Sequence, residues 1–183
     1  TISLLDNFCW PDPVESPRNP DAQTKMAQLV LSVKALHDIC LTYKSPLISG
    51  KDSMKNDFDD GRLRLSVLPT LLVSSLAMVP DAGLAVSSDF KQAGDLVYLL
   101  SAGTPSLLAS QLVPAASAFD LPCFDEHLAI SLYRRLYQAI SQRLVRSCHD
   151  VSDGGLAVCL AESAMGGNLG LKAELNANLF AHL

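Results

Sequence analysis

Residues 21–43, DAQTKMAQLVLSVKALHDICLTY, place apolar side chains at Met26, Leu29, Val30, Val33, Leu36 and Cys40. That three-four spacing predicts an amphipathic helix opened by Asp21 and ending near Tyr43. It constrains the fold because the segments on either side carry a different period. Before it, the proline-rich DNFCWPDPVESPRNP reads as a loop. After it, SPLIS reads as a short strand running into Gly50, GKDSMKNDFDDG as a polar loop, and RLRLSV and TLLVSSLAMV as sheet. Around PDAGLAVSSDFKQAGD the texture turns small and polar, which puts a domain boundary after residue 88, with one domain over 1–88 and a second over 89–183. In the second half DLVYLLS reads as a buried strand, and TPSLLASQLV as a helix with Thr104 at its N-cap. A long helix is predicted from Asp125 to about Leu144, with an apolar face of Ile130, Tyr133, Tyr137, Ile140 and Leu144. RSCHD then reads as a strand, a helix starts at about Gly155, and LGLKAEL reads as another strand. Strands and helices alternate in both halves, so layered α+β or α/β domains are expected.

The 183 residues carry a net charge of -5, and this acidic balance argues against nucleic acid or an anionic membrane as partner. It leaves nucleotides open, because a bound divalent cation inverts the local sign. The longest apolar run, LSVLPTLLVSSLAMVP, is interrupted by Pro69 and by Ser and Thr, so no membrane span is expected. Five scattered cysteines without a C-x-x-C pair read as reduced, mostly buried thiols of a cytoplasmic protein. The sequence opens at Thr1 in mid-pattern and closes on NLFAHL, which looks like the start of a helix, so a piece of a longer chain is expected.

Three stretches could carry chemistry. In HDVSDGGL, a strand runs into a helix through two glycines, which permit close backbone approach while free helix-start amides attract anions. Asp150 and Asp153 would repel bare phosphate, but an acid pair can accept Mg²⁺, which then bridges to phosphate. The competing reading is a helix cap and a tight turn. SGKDSM is not a Walker A loop, since Ser45 stands where the first glycine belongs and Asp52 follows Lys51. It still offers Gly50 for close approach, Lys51 to neutralise phosphoryl oxygens, Asp52 for a metal and Ser53 as a donor. A solvated turn is the plainer alternative. In LDNFCWPDP, Asp6 could be a metal or ribose ligand, Asp12 a turn cap and Trp10 a packing anchor. His37 and His127, on helices, are given no role.

Taken together, these stretches resemble the phosphoribosylformylglycinamidine synthase family. DNFCWPDP is similar to that family's Asp-Asn-x-x-aromatic segment, PLISGKDSM follows at the expected distance, and CHDVSDGGLAVCLAESAMGG is close to its His-Asp-x-Ser-Asp-Gly-Gly-Leu signature. The resemblance implies the back of an ATP-binding domain of aminoimidazole ribonucleotide synthetase type, followed by the front of its companion α/β domain. It implies ATP and Mg²⁺ as cofactors, with Asp6 and Gly50 touching ATP. Ser152 would contact nucleotide beside Gly154, and Asp150 would hold Mg²⁺. Lys51 and Ser53 would face formylglycinamide ribonucleotide. Lys51 stands where shorter members carry a metal-binding Asn, which leaves Asp52 as the nearest candidate ligand. The family's catalytic histidine and glutaminase cysteine have no counterpart in this stretch, so no catalytic residue is assigned. The implied partners are the rest of the synthetase chain and a glutaminase domain or subunit, and the isolated piece is expected to be inactive. The alternatives are a half that holds nucleotide only structurally, and a paralogous ATP-dependent synthetase or kinase of the same architecture.

Overall fold

The computed structural model describes residues 2–103 and 124–174. The predicted helix at TPSLLASQLV, Cys123 and the NLFAHL segment lie outside the described residues. The chain divides into two compact units, Thr1–Pro80 and Asp81–Leu183.

The first unit is built on β1 (Ile2–Cys9), α1 (Ala22–Tyr43), β2 (Leu47–Ser53), the short hairpin pair β3 (Phe58–Asp59) and β4 (Arg64–Leu65), and β5 (Thr70–Ala77). β1 is the central strand of a sheet ordered β2-β1-β5, parallel to β2 and antiparallel to β5. A parallel neighbour needs a long crossover, and α1 supplies it. Two sequence expectations change here. DNFC is not loop but the second half of β1, and β2 does not stop at Gly50 but continues to Ser53. Polar side chains hid both, because ladder hydrogen bonds to a neighbouring strand outweigh the poor strand propensity of Asp, Asn, Gly and Lys.

Leu4, Phe8, Trp10 and Leu36 are buried, and Leu29, Cys40 and Leu71 close around Phe8, Trp10 and Leu36. Trp10 is thus a packing anchor: its ring tilts against Phe8 at 5.9 Å, and its indole Nε1–H donates to the Lys25 carbonyl at 2.9 Å. α1 is helical over the predicted range but not amphipathic in the predicted way. Met26, Val30 and Val33 remain exposed beside Leu31 and Leu41, so apolar residues run round the whole helix. The helix ends on Lys44 in the left-handed region, with its N–H returned to the Cys40 and Leu41 carbonyls.

Beyond the fully buried Pro11, residues 12–21 are held largely by polar contacts. Asp12 receives the Val14 amide on one carboxylate oxygen at 2.9 Å and Arg64 on the other at 3.2 Å, which makes it the turn cap expected. Arg64 also donates to Asp57 at 2.7 Å. Burial alone would raise the Asp57 pKa, but Arg64 and the amides of Asp12 and Val67 more than offset it and hold the carboxyl below the ordinary 3.8. Asp12 is also held low, first by the Val14 amide. Because both values are depressed in the folded protein, their contribution to stability is complete above the ordinary carboxylate range and is lost as pH falls through the lower folded values. Protection of the Val14 amide from hydrogen exchange, taken relative to the intrinsic rate at each pH, should therefore fall below about pH 4 in the full-length protein, and Asp57→Asn should flatten that dependence.

In the second unit a 3₁₀ turn (Ala82–Leu84) precedes α2 (Glu126–Ser141) and α3 (Gly155–Gly167). Asp125 caps α2 by accepting the Leu128 amide at 2.8 Å. The inner side of α2 is Ala129, Leu132, Leu136 and Ile140, whereas Tyr133, Tyr137 and Leu144 of the predicted face are exposed. The predicted strands at 95–101, 146–150 and 169–174 carry no ladder among the described residues, and Leu96 and Tyr98 are exposed rather than buried. Strand-like composition becomes a strand only against a paired neighbour. Apart from an isolated bridge between Gly103 and Phe124, the order among the described residues of this unit comes from helices and turns. Among the described residues no helix is long and apolar enough to cross a membrane. Cys148 is exposed, against expectation, while Cys159 is buried and Cys9 and Cys40 are half-buried.

Candidate functional site

Parallel pairing of β1 with β2 brings two of the three singled-out stretches side by side. Asp6 lies opposite Gly50, Asn7 opposite Lys51, Phe8 opposite Asp52 and Cys9 opposite Ser53. Side chains of partnered residues share a face and alternate along each strand. Asp6, Gly50, Phe8 and Asp52 therefore face α1, whereas Lys51 and Ser53 face the other way. SGKDSM is thus no loop gathering a cation, an acid and a hydroxyl at one point. It is a strand that sorts them to two faces. On the outer face Lys51 Nζ donates to Ser53 Oγ at 3.1 Å, so the two residues expected to meet substrate do sit together.

On the α1 side, Asp6 and Asp52 line a cavity of about 430 Å³ with Phe8, Leu36, His37, Cys40 and Met54 among its walls. Gly50 is needed here for space. A Cβ built on it would collide with the Asp6 carboxylate, whose Cγ lies 3.0 Å away, so the side chain of Asp6 lies directly over the glycine. Burial, with the field of Asp6, pushes the Cys40 thiol upward, which keeps it protonated and unreactive. His37, given no role in the sequence reading, is among the lining residues, with a side chain 66% exposed and Nδ1 3.0 Å from Asp38 Oδ1.

The third stretch forms a turn in the second unit. Gly154 is the N-cap of α3 and has φ 84°, a left-handed conformation, and a Cβ there would also strike Val158 at 2.5 Å. Neither Asp150 nor Asp153 caps the helix, so the plainer capping alternative fails. With glycine at the cap, no side chain occupies the first-turn amides, which is the arrangement that receives anions. Asp150, Ser152, Asp153 and Gly154 are exposed around that turn. The far end of α3 is packed closely. A Cβ on Gly166 would press on Asp89, one on Gly167 would collide with the Phe90 carbonyl, and the Phe90 amide donates to the Ser163 carbonyl at 3.0 Å.

The donor chemistry suits Mg²⁺. Asp52 and Asp150 offer hard oxygen donors, and among the described residues neither forms an ion pair with Lys or Arg. No three His, Cys, Asp or Glu side chains converge among the described residues, so a cation would rest on a carboxylate together with phosphate oxygens and water. Sequence reasoning also missed His149 and Glu162. His149 Nε2 lies 3.0 Å from Glu162 Oε2, a pairing across thirteen residues that no local pattern announces.

The chain is 35% identical over 180 residues, 97% of its length, to phosphoribosylformylglycinamidine synthase subunit PurL of Gloeobacter violaceus. It spans 22%, about a fifth, of that relative. The model of the family described as AIR synthase related protein, C-terminal domain, matches residues 92–183. With half of the sequence matched by that model, the chain belongs to the AIR synthase related family and carries its C-terminal domain.

Proposed function

We propose that this chain is one stretch of a phosphoribosylformylglycinamidine synthase, an ATP-dependent ligase of purine biosynthesis. The observation that carries the reading is the 35% identity to the PurL subunit over 97% of the chain. The back of the ATP-binding domain would run to about residue 88 and the companion domain would follow it.

In this reading Asp6 and Gly50 contact ATP, the missing side chain of Gly50 leaving room for the Asp6 carboxylate that lies over it. Lys51 and Ser53, paired on the opposite sheet face, meet formylglycinamide ribonucleotide, Lys51 supplying positive charge and Ser53 a hydroxyl donor. Asp52 and Asp150, each within its own unit, serve as separate Mg²⁺ ligands, and Ser152 with the Gly154 turn presents polar groups and helix-start amides to a nucleotide. Bound Mg²⁺ supplies neutralisation of polyphosphate charge. The overall chemistry is phosphorylation of the substrate amide oxygen, attack by glutamine-derived ammonia and departure of phosphate. Catalysis of this kind rests on positioning and charge stabilisation, which is what these residues can offer. Glutamine hydrolysis belongs to a separate glutaminase domain or subunit, and the setting is the cytoplasm.

The full-length protein should form ADP only when formylglycinamide ribonucleotide and an ammonia source are both present, and the isolated 183-residue chain should form none. ADP formation by the full-length protein that is indifferent to formylglycinamide ribonucleotide would point to a paralogous kinase or synthetase instead.

A further inference from the structure

We propose that His149 is a positioning residue for Asp150: clasped to Glu162 in the body of α3, it fixes the base of the turn from which the Asp150 carboxylate projects. The inference rests on the reading above that Asp150 grips the divalent cation, and it adds a residue to which no role has been given.

The geometry is a two-sided anchor. The Cys148 amide donates to the Ser87 carbonyl at 3.1 Å, which ties the chain down just before the turn. One residue later the imidazole is largely buried, its side chain 18% exposed, with Nε2 3.0 Å from Glu162 Oε2. An ionised carboxylate only accepts, so Nε2 carries the hydrogen and Glu162 sets the ring's orientation. The other ring nitrogen, Nδ1, is buried, has no hydrogen-bond partner and lies 3.4 Å from Asp150 Oδ1. Asp150 itself is 86% exposed. A carboxylate that open would otherwise sample many directions and lose that freedom on gripping a cation. The clasped ring walls off one side of it and holds its backbone, in the manner of outer partners that orient metal-binding side chains.

The test uses the full-length protein with ADP and Mn²⁺ as the probe, bound Mn²⁺ being counted by electron paramagnetic resonance. The relevant ions are the class that Asp150→Asn removes. His149→Ala should weaken that class roughly tenfold or more. Glu162→Ala should do the same, and the double variant should be no worse than either single one, because both break one clasp. His149→Gln, which can still donate to Glu162, should recover part of the affinity. Should His149→Ala fail to fold, Glu162→Ala carries the same prediction from a half-exposed position. Wild-type Mn²⁺ affinity in the folded His149 or Glu162 variants, with the class still lost in Asp150→Asn, overturns the clasp and leaves the Asp150 reading standing. Wild-type Mn²⁺ binding in Asp150→Asn overturns both.

Discussion

Replacing Lys25 by methionine should cut the hydrogen-exchange protection of residues 11–21 in the full-length protein roughly five- to hundred-and-fiftyfold, a loss of about 1–3 kcal/mol. Lys25 is 6% exposed, and its ammonium has all three donors placed: on Asn19 Oδ1 at 2.6 Å, on Ser66 Oγ at 2.8 Å and on Asp21 Oδ1 at 2.8 Å. Asn19 is more buried still, and its amide donates to the Asp12 and Val14 carbonyls at 2.8 Å each. Methionine keeps most of the buried stem but leaves the Asn19 oxygen without a donor, and an orphaned buried acceptor costs about 1–3 kcal/mol. The Asp21 carboxylate, freed to solvent, adds little. The bond from Trp10 to the Lys25 carbonyl survives, because it uses backbone. The damage should therefore centre on residues 11–21 and spare the Phe8–Trp10–Leu36 cluster. Equal loosening of both would mean that the ammonium serves the whole unit.

Gly50→Ala should separate stability from binding. The added Cβ takes the place of the Asp6 carboxylate oxygen. Because that oxygen is the end of a side chain rather than backbone, it can swing aside, and the thermal midpoint should drop by only a few degrees, about 1 kcal/mol. The cost falls on the site, since Asp6 leaves its position over the glycine. On the proposed reading, ATP affinity drops at least about tenfold. In an Asp6→Ala background the collision disappears, so the stability effect of Gly50→Ala should vanish there, and the two substitutions should prove strongly non-additive.

What could be read from the sequence followed the strength of the local signal. α1 was legible from end to end, and so was the start of α3 at Gly155, because helical spacing and glycine punctuation are written in neighbouring residues. β1 was not, since its second half, Asp6 to Cys9, looks like loop until β2 and β5 are laid beside it. For the same reason the pairing of Asp6 with Gly50, forty-four residues apart, could not be read. Only the register shows that Asp52 shares a face with Asp6 while Lys51 and Ser53 do not. The segments around 95–101 and 146–150 failed in the opposite direction, strand-like in composition but without a ladder. His149 and Glu162 needed the fold itself, because a contact between an entering segment and a helix body leaves no trace in spacing.

The central claim is that the strand register, by laying Asp6 over a bare glycine, builds part of a grip for nucleotide. Equilibrium titration of Mg–ATP into the full-length protein, wild type against Gly50→Ala, tests it most directly. The account predicts at least a tenfold weaker dissociation constant in a variant that melts within a few degrees of the parent. An unchanged constant in that well-folded variant would contradict it.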